Sequence, residues 1–190
     1  MLFRSTVVLM ERASKIFGPI TCLINNASIF EEDTATTQGR DIWDRHMEVN
    51  FRAPFLLSQE LAAQMPSGER GNIINILDQK VWNLTPEFTS YTLSKAGLWN
   101  ATKVLARAFA PNIRVNAIGP GPTLQSIHQS KVDFQTEWGN VPLGQPVLVG
   151  DICKAINFII ETSAVTGQMI AIDSGQSLNW QTPDIMNGKE

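Results

Sequence analysis

The sequence predicts an α/β protein built on a parallel sheet with helices on both faces, and three observations carry that expectation. Short apolar runs of strand length alternate with longer segments of helical periodicity along nearly the whole chain. Three of the apolar runs close in residues that turn or stop a chain: Asn25-Asn26, Asp78 and Gly119-Pro120-Gly121. The length of 190 residues, at 43% hydrophobic and 17% charged, suits one domain (1–190) with a substantial core.

Taken in order, residues 5–17 read as an amphipathic helix that stops at Gly18-Pro19. "ITCLINNA" (20–27) reads as a buried parallel strand. Residues 39–65 carry a long helical pattern with Trp43, Met47, Phe51 and Phe55 four apart. "GNIINILD" (71–78) is the next strand, 89–110 the next helix, and "IRVNAIGPG" (113–121) a third strand entering a Gly/Pro turn. Residues 122–149 lack periodicity and read as a mobile loop suited to a substrate. A helix over 150–161 and a strand over 167–175 follow, and the tail 176–190 is polar apart from Trp180.

Composition narrows the function. The net charge is −3 and no basic run interleaves with aromatics, so nucleic acid is not an expected partner. No stretch approaches the roughly 18 apolar residues of a membrane span, and the apolar core of the opening "MLFRSTVVLM" is too short for a signal peptide. The cytoplasm is the expected location. Cys22 and Cys153 lie far apart in apolar segments and read as buried free thiols. His46 and His128 are isolated, so no metal site is expected.

In open α/β sheets ligands bind beyond the carboxyl ends of the strands, where Asn25-Asn26, Asp78 and Gly119-Pro120-Gly121 fall. Tyr91 and Lys95, at i and i+4, share one helix face. An ammonium beside a phenol favours the phenolate, so the expectation is a lowered tyrosine pKa and proton transfer near neutral pH. The same pair also occurs on ordinary exposed helices. Asp78 either faces the same pocket or merely caps a turn. Pro54 removes the hydrogen bond that the Asn50 carbonyl would accept within a helix. Either packing forces a kink there, or the carbonyl and amide of Asn50 are aimed at a pocket water.

"INNAS", "VNFRAPF", "YTLSK", "IRVNAIGPGPT" and "GQMIAIDSG" occur in the order and spacing of the short-chain dehydrogenase/reductase family, which the chain resembles from residue 5 to about 180. The resemblance implies a Rossmann-type doubly wound sheet, an NADP cofactor (NAD not excluded), a small-molecule substrate and a homo-oligomer, dimer or tetramer. The apolar faces of helices 39–65 and 89–110 suit such pairing. It implies that Tyr91 donates the proton, that Lys95 tunes Tyr91 and holds the nicotinamide ribose, and that Asn50 anchors a relay water. Asn26, Ala27 and Ser28 would pack against the adenine ribose side, and Pro120, Gly121 and Thr123 would line the nicotinamide.

Two departures refine this. Most members of the family carry serine where this chain has Asp78, thirteen positions before the tyrosine. That change, with Ser28 and Phe30 after the Asn-Asn pair, resembles the pteridine reductases. The implied chemistry is reduction of a C=N bond, with Asp78 and Tyr91 handling protons and Phe30 sandwiching a flat ring. Trp180 would close over the substrate or serve an interface. The second departure is that no glycine precedes Gly18, whereas the family opens on a glycine-rich pyrophosphate turn. The expectation is therefore an N-terminally truncated domain, its C-terminal three-quarters, with Met1 an internal start of a longer reading frame or the chain a deletion product. The alternatives are a ketone or alcohol reductase, or an inactive remnant that keeps its oligomerisation helices.

Overall fold

The computed structural model describes residues 2–37, 39–127 and 129–179. Four strands, β1 (Cys22–Asn25), β2 (Gly71–Ile76), β3 (Ile113–Pro120) and β4 (Met169–Ile172), form one sheet in the order β1-β2-β3-β4. All three pairings are parallel, with Cys22 opposite Asn72, Ile76 opposite Ile118 and Pro120 opposite Ile172. Parallel neighbours need crossovers. Helices α1 (Leu2–Phe17), α2 (Asp41–His46), α3 (Ala53–Gln64), α4 (Thr89–Ala108), α5 (Lys131–Gly139) and α6 (Val149–Glu161) precede or link the strands.

The side-chain alternation of the central strands divides the core in two. Ile73 and Val115 pack with Met10, Leu61 and Leu105 from α1, α3 and α4, while Ala117 packs with Leu98 and Ala101 of α4. Ile74 and Ile118 point the other way, onto Ala155 and Ile159 of α6. A sheet covered on both faces buries β2 and β3 almost throughout, the polar Asn72, Asn75 and Asn116 included. The doubly wound arrangement expected from the sequence is the one observed.

Three expectations need correction. The 39–65 helix is interrupted by a π-helical stretch, Met47–Arg52, in which the Ala53 N–H donates to Glu48 five residues back. The cause is Pro54: it has no N–H, and its ring would strike the Asn50 carbonyl of a regular turn. The 122–149 segment is not all loop, because it contains α5. A capping box starts that helix, with Ser130 Oγ accepting from the Asp133 N–H and Asp133 reaching back to the Ser130 N–H. None of its residues is buried, so no apolar stripe announced it. Finally, Cys22 and Cys153 are exposed, not buried. Cys22 and Ile24 share the face of edge strand β1 that α6, packed on β3 and β4, does not reach.

Among the described residues no helix is long and apolar enough to cross a membrane.

Candidate active site

A cavity of about 770 Å³ lies beyond the carboxyl ends of β1, β2 and β3, walled on its far side by α5 and α6. Asp78, two residues past β2, is extended and caps the 3₁₀ turn Gln79–Val81, with Oδ1 accepting the Lys80 N–H at 2.8 Å. Its other oxygen is thereby left for Tyr91, whose phenol donates to Asp78 Oδ2 at 2.8 Å. Capping and site-facing are thus both true of Asp78, one through each oxygen.

Tyr91 stands in the first turn of α4, and that turn is pinned from outside. The Ser90 N–H is shared by both carboxylate oxygens of Asp33 at 3.1 and 3.2 Å, in the loop that carries Phe30. An anion at a helix N-terminus is also attracted by the positive end of the helix dipole. One turn on, Lys95 is 3% exposed and its ammonium donates to the Ile76 carbonyl at 2.9 Å, at the end of β2.

The electrostatics reverse one expectation. The Tyr91 phenol is pushed well above its ordinary pKa, first by burial, then by the Asp78 charge and the hydrogen bond to it. Lys95 does not offset this: its nitrogen sits 5.7 Å from the Tyr91 ring centroid and is engaged on Ile76. Burial also acts on Lys95 itself, bringing its pKa down to about 8 against the pull of Asp78.

The side chain of Asn50 also departs from expectation. It is fully buried, and Oδ1 accepts from the Ile29 N–H at 2.9 Å and the Ser28 hydroxyl at 3.1 Å. Its amide nitrogen donates to the Ile29 carbonyl at 2.9 Å and to Ser94 Oγ at 3.3 Å. All the capacity of this amide goes into the loop before Phe30 and into α4, so none is left to aim at a pocket water.

Of the predicted nucleotide contacts, Asn26, Pro120, Gly121 and Thr123 line the cavity, whereas Ala27 and Ser28 are exposed outside its lining. A Cβ on Gly121 would come within 2.7 Å of the Asp173 backbone, so only glycine lets the turns after β3 and β4 meet. Phe30 does line the cavity, stacked on Phe88 at 4.2 Å and edge-on to Tyr91 at 4.7 Å. Trp180 and His128 lie outside the described residues.

Several contributors had no distinctive mark in the sequence. Phe88 adopts the left-handed conformation (φ 53°, ψ 49°) immediately before α4. Lys80 places its ammonium 5.3 Å from the Phe30 centroid and 5.0 Å from that of Phe88. His46, expected at the surface or satisfied, is fully buried and satisfied. Its Nε2 accepts the Glu31 N–H at 3.1 Å, which leaves Nδ1 protonated to donate to Ser90 Oγ at 2.6 Å. The one legible hint was position, since Phe88 abuts a helix start and Lys80 follows Asp78 by two. Among the described residues no group of three or more His, Cys, Asp or Glu side chains forms a metal site.

Comparison with known proteins gives a consistent set of likenesses. A family model described as enoyl-(acyl carrier protein) reductase matches residues 4–177. A 2-dehydro-3-deoxy-D-gluconate 5-dehydrogenase of Escherichia coli (strain K12) is 33% identical over 175 residues, 88% of this chain and 69% of that enzyme. A short-chain type dehydrogenase/reductase of Picea abies is 30% identical over 176 residues, covering 88% and 65% of the two chains. The crystal structure of FolM alternative dihydrofolate reductase 1 from Brucella suis, in complex with NADP, superposes with a TM-score of 0.94 at 44% identity. That superposition covers 97% of this chain and 75% of the other.

Proposed function

The chain belongs to the short-chain dehydrogenase/reductase family of NAD(P)-dependent oxidoreductases, and we propose that within it the chain reduces a C=N bond of a flat, pteridine-like heterocycle with NADPH. The observation that carries this reading is the 2.8 Å hydrogen bond from Tyr91 to Asp78, beside an aromatic wall. The likeness to an alternative dihydrofolate reductase bound to NADP supports it.

The residues present fit a nicotinamide nucleotide. An ammonium has three donors, and Lys95 spends one on Ile76, leaving two for a ribose diol. Pro120, Gly121 and Thr123 form one wall of the cavity and Asn26 contributes at the end of β1. Bound there, the nicotinamide supplies a hydride to the ring carbon.

The remaining work is moving a proton onto the ring nitrogen as the C=N π pair arrives there. A phenol whose pKa is raised stays protonated at neutral pH, so Tyr91 enters the reduction as an acid. Asp78 accepts from that phenol and stands at the cavity, placed to return a solvent proton to Tyr91 after each turnover. Asn50 positions rather than relays, holding Ile29, and hence Phe30, against α4. Phe30 offers a face or edge to the ring. Exposed Leu93 and Val104 on α4 are the apolar positions through which copies would pair.

The test is NADPH oxidation by the purified chain with a dihydropterin and with a simple ketone, for the wild type and Asp78→Ser. Pterin reduction that collapses in Asp78→Ser is the expected result. Ketone reduction that survives or improves in Asp78→Ser, without pterin turnover, would overturn the reading in favour of a carbonyl reductase. No turnover of either, by a folded chain that fails to bind NADPH, would leave the catalytic reading without support in these 190 residues.

A further inference from the structure

We propose that Lys80 is a specificity-determining residue that receives a carboxylate carried on the flat substrate, so that acidic substrates are held more tightly than neutral ones of the same ring. The inference rests on the reading of the cavity as the site of a flat heterocycle.

The charges lining the cavity are Asp78, Lys80 and Glu137, so Lys80 is its cation among the described residues. Both carboxylates are engaged. Asp78 accepts from Tyr91 and from the Lys80 N–H, and Glu137 accepts from Gln129 at 2.8 Å and Gln176 at 3.5 Å. The Lys80 ammonium makes none of the five ion pairs among the described residues. It rests instead over Phe30 and Phe88. A lysine on a solvent-facing turn ordinarily extends into water; this one is drawn across the aromatic wall that a flat ring would meet. Its attraction to the rings is weaker than a charge-assisted hydrogen bond to a carboxylate, so a substrate anion would take the ammonium over at small cost.

The backbone makes the placement dependable. The Lys80 N–H is bound by Asp78 Oδ1 at 2.8 Å, so the turn bearing the lysine is tied to the carboxylate that faces Tyr91. The backbone of Lys80 is therefore set relative to a ring reacting at Tyr91, with the side chain free to reach along it. The anion is a single carboxylate rather than a phosphate dianion, because Asp78 and Glu137 leave the lining with an excess of negative charge.

The experiment is calorimetric binding, to the full chain with NADP present, of three probes: neutral 6-hydroxymethylpterin, pterin-6-carboxylate and pteroic acid. In the wild type at least one acid should bind more tightly than the neutral pterin. Lys80→Met should weaken that acid about tenfold while leaving the neutral pterin within about twofold, and Lys80→Arg should restore it. An equal loss for all three probes, or no loss for any, overturns the role of Lys80 while leaving the pteridine reading intact. Failure of the wild type to bind the neutral pterin, with the acids still held through Lys80, would sink the pteridine reading instead. A chain that binds none of the three overturns both.

Discussion

The Tyr91 phenol and the Asp78 carboxylate share a proton donor–acceptor contact of 2.8 Å, and the Asp78 charge acts on Tyr91 in the same sense as burial does. Tyr91 is the only tyrosine of the sequence, so its ionisation can be read directly from tyrosinate absorbance. In the wild type that signal should appear above the free-tyrosine value of about 10. Asp78→Asn removes the negative charge and should move the midpoint down, though not below 10, because burial remains. A wild-type midpoint at or below that of free tyrosine would show that Lys95 controls the phenol after all.

Lys95 should trade stability for function. Its pKa falls from an ordinary 10.5 to about 8 in the fold. Below pH 8 the buried ammonium is charged at full cost. Between about 8 and 10.5 the unfolded chain holds the proton and the native chain does not, so wild-type stability gains with rising pH. Lys95→Met should therefore match or exceed the wild type at pH 7, by on the order of 1–3 kcal/mol. That advantage should shrink as denaturation is repeated toward pH 10. NADPH-dependent turnover should fall at least about a hundredfold.

His46 makes the site sensitive to acid. Burial lowers its pKa, the nearby Asp33 and Glu31 oppose that, and Arg45 adds to it. Protonation would also take away the acceptor that holds the Glu31 N–H. With the native pKa depressed, the unfolded chain binds the proton first as pH drops below about 6.5, so stability falls from there toward the native pKa. His46→Gln, which keeps an acceptor and a donor but cannot titrate, should flatten this part of the stability–pH curve. Urea midpoints at pH 7.5, 6 and 5 give the comparison, and parallel curves for the two proteins would exclude His46 as the cause.

Phe88 combines a favourable stack with an unfavourable backbone. Phe88→Ala removes the ring and keeps the left-handed strain, whereas Phe88→Gly removes both. The glycine variant should be the more stable of the two by about 1 kcal/mol in thermal or urea unfolding. Both should bind a flat substrate more weakly, because the wall behind Phe30 is gone. Equal stability of the two variants would mean that Phe88 relaxes out of the left-handed region in solution.

The order of strands and helices, the strand ends that face the cavity, and the convergence of Asp78 and Tyr91 on it were legible in the sequence, whereas Lys95 is buried one turn behind Tyr91, outside the cavity lining. Apolar periodicity and turn residues are local, and a spacing of four on a helix sets which side chains share a face. The motif order also identified the family, which the similarity of residues 4–177 supports. Even α5 had a local mark in its Ser130–Asp133 capping box, although without a buried face it carried no periodicity.

Only the tertiary structure decided what these residues do to one another. Lys95 lies one helical turn from Tyr91, yet its ammonium turns to Ile76 while Asp78 takes the phenol, so the pKa shift has the opposite sign to the one that spacing implies. Asn50 spends its amide on Ser28, Ile29 and Ser94. Asp33 caps a helix that starts 56 residues later, at Thr89. Cys22 is exposed because of where α6 packs, not because of its neighbours in the chain. Hydrogen-bond choice and desolvation depend on distances set by packing between segments remote in sequence, and those distances exist only once the sheet has assembled.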